Sequence, residues 1–260
     1  MRLPKWMVRT AFFLLLGLSI GMPGLARAGP PFVTDDPEPV DYQHYEFYTF
    51  TSGTAVSGDT AGVGPAWEFN YGLIPNGQFH VIAPMAFDSP TGGPAQFGYG
   101  DTELGFKYRF IQEDKSGPTP TVGVFPLLEL PTGDQGAGLG AGHVRAFFPV
   151  WVQKDLGNDW LTYGGGGYWI NHGGGTLDQD YWFFGWLLQK QVTRQLALGG
   201  ELFHQTAQTI GGKQTTGFNI GGVYDIDDRN HLLFSAGRAL QNASSTNLLS
   251  WYLGYQITGP

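Results

Sequence analysis

The sequence predicts an all-β protein: an up-and-down antiparallel transmembrane β-barrel of about twelve strands. Three observations carry that reading. The 260-residue chain holds 41 glycines, 19 Phe, 12 Tyr and 8 Trp with few charges, a composition of many short apolar strands rather than of helices or disorder. From Tyr42 onward, segments of about ten residues alternate apolar and polar positions, the length a tilted strand needs to cross a bilayer. The breaks between segments alternate short and long, as expected of tight periplasmic turns and longer outer loops. A soluble barrel around an apolar cavity is the rival reading, and it gives no reason for sorted breaks.

Residues 1–28 read as a secretory signal. Arg2, Lys5 and Arg9 precede the apolar stretch AFFLLLGLSI (11–20), and Ala26-Arg27-Ala28 is a small-x-small cleavage site. The alternative, a membrane anchor, suits the short apolar stretch less well. Removing residues 1–28 takes away four basic residues and no acid. The rest carries 10 basic against 22 acidic side chains, a net charge of −12, which argues against nucleic acid as a partner. Without cysteine there is no disulfide scaffold, thiolate metal site or lipidated N-terminal cysteine. Residues 29–41 follow, with Pro30, Pro31, Pro37 and Pro39 beside Asp35, Asp36, Glu38 and Asp41. So many prolines predict an extended periplasmic lead-in ahead of the barrel at 42–260.

Twelve segments then succeed one another: 42–52, 65–73, 78–87, 101–112, 120–130, 142–153, 159–170, 180–192, 195–206, 215–225, 230–238 and 245–258. The breaks IPNG (74–77), EDKSGPT (113–119), KDLGND (154–159), TR (193–194) and DDRN (227–230) are short. SPTGGPAQFGYG (89–100) and PTGDQGAGLGA (131–141) are long. In DTELGFKYRF (101–110), Leu104, Phe106, Tyr108 and Phe110 fall on one face, and Glu103, Gly105, Lys107 and Arg109 on the other. In DYWFFGWLLQ (180–189), Trp182, Phe184, Trp186 and Leu188 are expected to face lipid. Tyr181, Phe183, Gly185, Leu187 and Gln189 are expected to face the lumen, an unusually apolar lining. Trp67, Trp169 and Trp182 near loop ends, with Trp151 and Trp160 near turn ends, suggest two interfacial aromatic girdles.

PPFVTDDPEPVDYQHYEFY (30–48), GYGDTELGFKYRF (98–110) and PLLELPTGD (126–134) resemble the bacterial outer-membrane family named after the meta-pathway of phenol degradation. The resemblance covers nearly the whole chain after the signal. It implies an outer-membrane barrel of Gram-negative bacteria, transporter-like, that helps small hydrophobic or aromatic solutes across. It supplies no catalytic residue. The C-terminus, QITGP, lacks the terminal aromatic common in such barrels.

Alternation places Glu46, Glu68, Glu103, Lys107, Arg109, Glu129, Arg145 and Glu201 in the lumen. Glu103, Glu129 and Arg145 are expected to cluster near the loop end, with Lys107 and Arg109 lower. Two readings stand: a charged constriction that selects solutes, or an internal ion-pair network that rigidifies or plugs the barrel. Twelve strands fall between barrels filled by side chains and open porins, so the lumen should be narrow. GGGG (164–167) has no following Lys-Ser or Lys-Thr and sits inside a strand, so it is no phosphate loop. The six histidines show no chelating pair, and neither metal nor cofactor is expected. The alternative to a channel is a structural outer-membrane barrel without transport, and a lipid-modifying outer-membrane enzyme is the less favoured class. His204 near the outer end of its strand has Thr215 and Thr216 opposite but no serine nucleophile. The partners expected are outer-membrane lipids and small solutes.

Overall fold

The computed structural model describes residues 30–115, 117–173 and 175–260; the signal sequence lies outside the described residues. The strands are β1 (Tyr45–Val56), β2 (Asp59–Ile74), β3 (Gly77–Asp88), β4 (Gln96–Tyr99), β5 (Thr102–Ile111), β6 (Thr121–Val124) and β7 (Leu127–Leu130). They continue with β8 (Arg145–Gly157), β9 (Trp160–Ile170), β10 (Tyr181–Gln191), β11 (Leu196–Gln205), β12 (Thr215–Asp225), β13 (Asn230–Gln241) and β14 (Leu249–Gly259). Each pairs antiparallel with its neighbours, and β1 pairs with β14 from Tyr45↔Gly259 to Ala55↔Leu249. The sheet therefore closes on itself, and among the described residues only the short β4 is paired on one side alone. β4 and β5 together form one stave against β3, and β6 and β7 form one stave between β5 and β8. The result is a closed barrel of twelve staves.

Each interruption has a local cause. Pro126 has no amide hydrogen to give the ladder, and its carbonyl instead accepts from Phe106 N–H (3.1 Å). Between β4 and β5, the Asp101 carboxylate turns to the outer loop and accepts from Gly133 N–H (2.9 Å) and Ala141 N–H (2.6 Å). Thr102 N–H donates to Thr132 Oγ1 (2.8 Å), whose hydroxyl donates to Gly100 carbonyl (2.8 Å). The stretches 98–110 and 126–134 thus meet as one latch at the loop rim.

The short connections are tight because their residues accept left-handed backbone. Asn158 and Asp159 close β8 onto β9 with φ of 51° and 66°, the pairing a two-residue primed turn requires. One long break is not a loop. Residues 53–64, between the first two segments, continue β1 and β2 as a hairpin that turns at Ser57–Gly58.

Alternation holds around the wall. Phe148, Val150, Phe184, Trp186, Ile220 and Leu253 are exposed on the outside, whereas Phe147, Phe183, Leu187, Val223 and Leu233 are buried inside. Exposed Trp67, Trp160 and Trp182 fit a girdle. Trp151 and Trp169 do not. Trp151 is 1% exposed and packs with Phe147 and Phe183 inside the barrel, and Trp169 stacks on Phe147 with centroids 4.7 Å apart. The spacing explains it: Arg145 and Trp151 are six residues apart, and an even spacing on one strand means the same face.

Candidate functional site

The lead-in does not stay outside the barrel. Residues 30–41 run through its interior, where Thr34 and Asp36 are fully buried. A segment with no strand partner must satisfy its amides some other way. Glu201 accepts from Val33 N–H (3.0 Å) and Thr34 N–H (2.7 Å), and Gln78 accepts from Val40 N–H (2.8 Å). Within the segment, Asp35 accepts from Asp36 N–H (2.7 Å) and Asp36 from Glu38 N–H (2.5 Å). Pro30, Pro31, Pro37 and Pro39 have no amide hydrogen, so they add no buried donor. The prolines that predicted an irregular lead-in are also what lets it lie inside a protein wall.

Charge fixes its register. Lys107, 4% exposed, donates to Asp35 (2.9 Å) and lies 3.6 Å from Asp36. Arg109 pairs with Glu38 and bonds Asn76 Oδ1 (2.6 Å), and Thr121 and Gln153 donate to Glu38 (3.1 and 3.2 Å). The wall is recessed where the segment presses on it. A Cβ at Gly185 would sit 2.0 Å from Thr34 Oγ1, and one at Gly123 would sit 3.0 Å from Pro37.

The remaining lumen candidates divide into separate groups. Glu201 also accepts from Asn219 (2.6 Å). Glu46 accepts from Tyr48 hydroxyl (2.6 Å), which in turn accepts from Gln256 (2.7 Å). Glu68 accepts from Asn70 (2.7 Å), whose Oδ1 lies 2.7 Å from His80 Nδ1. Glu103, Glu129 and Arg145 lie side by side on β5, β7 and β8, as the alternation predicts, but they do not form one ion-pair set. Arg145 pairs with Glu129 and lies over the Trp169 ring, whereas Glu103 meets His80 Nε2 (2.8 Å). The structure adds Gln78 and His80 to the sequence-derived set. Their alternation along β3, opposite exposed Phe79, was the signal available for them. On β11, His204 shares a hydrogen bond with Thr216 (2.8 Å), a threonine where a hydrolase needs an activated nucleophile.

Two cavities flank the internal segment. One of about 540 Å³ opens toward the short turns and is lined by charged and polar groups, among them Glu38, Glu46, Glu68, His80, Lys107 and Arg109. The other, about 200 Å³, lies toward the loops and is walled by aromatics of β8, β9 and β10. Asp35 and Phe125 line both, so the internal segment is the partition between them.

A family model described as "Putative MetA-pathway of phenol degradation" matches residues 35–256, a span that begins inside the internal segment. No curated protein matches the chain. Among solved structures, an outer-membrane channel from Pseudomonas putida F1 aligns with a TM-score of 0.71 at 16% identity, over 90% of this chain and 100% of that one. The NanC porin aligns with a TM-score of 0.52 at 11% identity, over 82% and 99%. The KdgM porin, solved in complex with disordered oligogalacturonate, aligns at 0.50 and 10%, over 84% and 99%. At these identities the likeness is one of fold: a channel-like outer-membrane barrel.

Proposed function

The chain belongs to the family described by the MetA-pathway of phenol degradation, and from that premise we propose that it is an outer-membrane channel for small hydrophobic or aromatic solutes, held closed by its own N-terminal segment. One observation carries the proposal: a single stretch of chain, tethered mainly by side chains, separates two cavities that face opposite ends of the barrel. A permanent filling would be expected to merge with the wall as strand or apolar core. This segment is instead held by the pairs Lys107–Asp35, Lys107–Asp36 and Arg109–Glu38 and by Glu201. Such contacts can be exchanged for water one by one. The secretory signal supports export, and the exposed apolar belt supports lipid as the outer partner. The lumen charges then act as the seat of a gate.

Uptake decides between this channel and a barrel that is only structural. Cells carrying the protein should accumulate radiolabelled phenol at limiting concentration faster than cells lacking it. Equal uptake would favour the structural barrel.

A further inference from the structure

We propose that the outer face of the barrel, at the loop ends of β12–β14 and β1–β3, is a binding site for a lipid whose headgroup is a phosphorylated sugar. The proposal does not depend on the gate. It rests only on the reading that the barrel sits in a bilayer with its long loops outward.

Charge is the first observation. Arg238 is exposed, and alternation along β13 puts it on the lipid side with exposed Leu232 and Leu240. It stands three residues from the loop end of β13, and the pairing Gly237↔Ser250 sets it beside Leu249, the first residue of β14. Among the described residues it makes no ion pair and no side-chain hydrogen bond. The neighbouring sequence supplies no acid to match it: Asp and Glu are absent from 202–224 and from 230–260. At the loop ends of β2 and β3, Asp59 and Asp88 fall on the inward face, at odd spacings from outward Gly62 and Phe87. Exposed Lys213 adds a second base to the same rim. Its chain neighbour Gln214 accepts a hydrogen bond at its carbonyl from Asn242 Nδ2 (2.8 Å), just past β13. A lipid-facing arginine is tolerated best near the interface, and a headgroup phosphate there matches the planar fork of a guanidinium.

Shape is the second. One row of paired residues crosses six strands on this face: Ala236, Trp251, Gly53, Gly62, Phe87 and Phe97. The two glycines in its middle let the neighbouring rings lie down on the wall. A Cβ at Gly53 would sit 2.5 Å from the Trp251 ring, and one at Gly62 would sit 2.9 Å from the Phe87 ring. The two ring planes are 18° apart with centroids at 6.4 Å, so together they cover the glycines as a flat shelf. An aromatic face carries negative charge density and attracts the polarised C–H groups on the face of a sugar ring. Arg238 lies two residues farther toward the loops than Ala236, the partner of Trp251, so charge and shelf adjoin. Toward the turns, Leu253 and Leu232 continue the face as exposed apolar belt. Base, ring shelf and belt thus follow one another in the order of phosphate, sugar and acyl chain.

The test uses the whole barrel in detergent, with bound lipid counted by native mass spectrometry. The probes are bisphosphorylated lipid A, the same lipid with both phosphates removed, and phosphatidylglycerol, which has a phosphate but no sugar. Lipid A should bind about fivefold more tightly than its phosphate-free form, the effect of about one base at a charged surface, and more tightly than phosphatidylglycerol. Arg238→Gln should erase the phosphate preference, and Arg238→Lys should keep most of it. Trp251→Leu should weaken both forms of lipid A by about three- to tenfold and leave phosphatidylglycerol unchanged. Lys190→Gln, which removes the base lying over the Trp160 ring at the turn end of β10, should change nothing. The comparison of lipids on the unaltered protein stands even if a variant fails to fold. Equal affinity for the two forms of lipid A, phosphatidylglycerol binding as tightly as lipid A, or an Arg238→Gln variant that keeps the preference would each overturn the proposal. So would displacement of lipid A by millimolar inorganic phosphate, which would mark a site for the free ion. Conductance and uptake are not read, so either result leaves the channel reading to its own experiment.

Discussion

The two cavities that flank the internal segment are lined largely by different strands and differ in chemistry. Toward the short turns, inward positions carry Glu46, Glu68, Lys107, Arg109 and Gln153, and the internal segment meets them with its own carboxylates. Toward the loops, the inward positions of β8, β9 and β10 are Phe147, Trp151, Trp169, Tyr181 and Phe183. Both halves exploit one property of a strand, that every second residue faces in. They differ in what the inward residue asks of its neighbour. A buried charge demands a partner of opposite sign and so specifies where the segment lies. An aromatic wall demands only area and shape. On the reading proposed above, the turn side holds the internal segment by charge, and the loop side meets it with aromatic surface.

The largest effect should follow from breaking that hold. In Lys107→Met with Arg109→Met, Asp35, Asp36 and Glu38 face the lumen without counter-charges. Removing one partner of a buried pair costs about 3–5 kcal/mol, enough to shift a closed-to-open ratio by more than about a hundredfold. Single-channel recordings in planar bilayers should show a barrel that is open most of the time. A variant that stays shut would mean that the backbone bonds to Glu201 and Gln78 hold the segment alone.

An intermediate effect is expected from Arg145→Ala on the loop side. It leaves Glu129 beside Glu103, its register partner on β5, without compensation. Because the pair is half-buried, the loss of thermal stability should be on the order of 1–3 kcal/mol. In the Lys107→Met and Arg109→Met background, the reversal potential should move toward cation selectivity. Arg145 makes no described contact with the internal segment, so closure in the wild-type background should persist. Opening would break the division between the halves.

The smallest effect lies in the β9–β10 loop. The Asp180 carboxyl is held below the usual carboxylate range, first by the Asn171 backbone N–H (2.8 Å) and further by His172. A depressed folded-state pKa contributes stability that is present above the unfolded value, roughly 4, and is lost as pH falls through the lower folded value. Limited proteolysis of residues 171–180 should therefore quicken below about pH 4, and at neutral pH in Asp180→Asn. The melting of the barrel should not change.

Much of this architecture was legible in the sequence because lipid imposes a strict period. Leu104, Phe106, Tyr108 and Phe110 could only be read outward with Lys107 and Arg109 inward, and the short turns marked the ends. What stayed hidden depends on contacts distant in sequence. The acids of 35–38 and the bases at 107 and 109 lie some seventy residues apart, and no local period links them. Tryptophan's preference for interfaces points Trp151 to a girdle, whereas its even spacing from Arg145 puts it inside. Residues 53–64 do not read as strand in the sequence because Gly, Ser and Thr there blur the alternation. Glu103 finds His80 rather than Arg145 because β3, not β8, is its other neighbour in the wall.

The central claim, that the internal segment is the gate, can be tested in a chain whose sequence contains no cysteine. Thr34 lies directly against Gly185, with its Cβ 2.9 Å from where a Cβ on Gly185 would stand; a disulfide spans roughly 3.5–4.5 Å between Cβ atoms, so Thr34→Cys with Gly185→Cys should form one once the segment shifts outward by that difference. Conductance of this variant in a planar bilayer is recorded before and after dithiothreitol. The oxidised form should be silent, and reduction should open it, because two side chains then crowd a seat shaped for glycine. Equal conductance in both states, with the disulfide verified by mass spectrometry, would show that solutes do not wait on this segment.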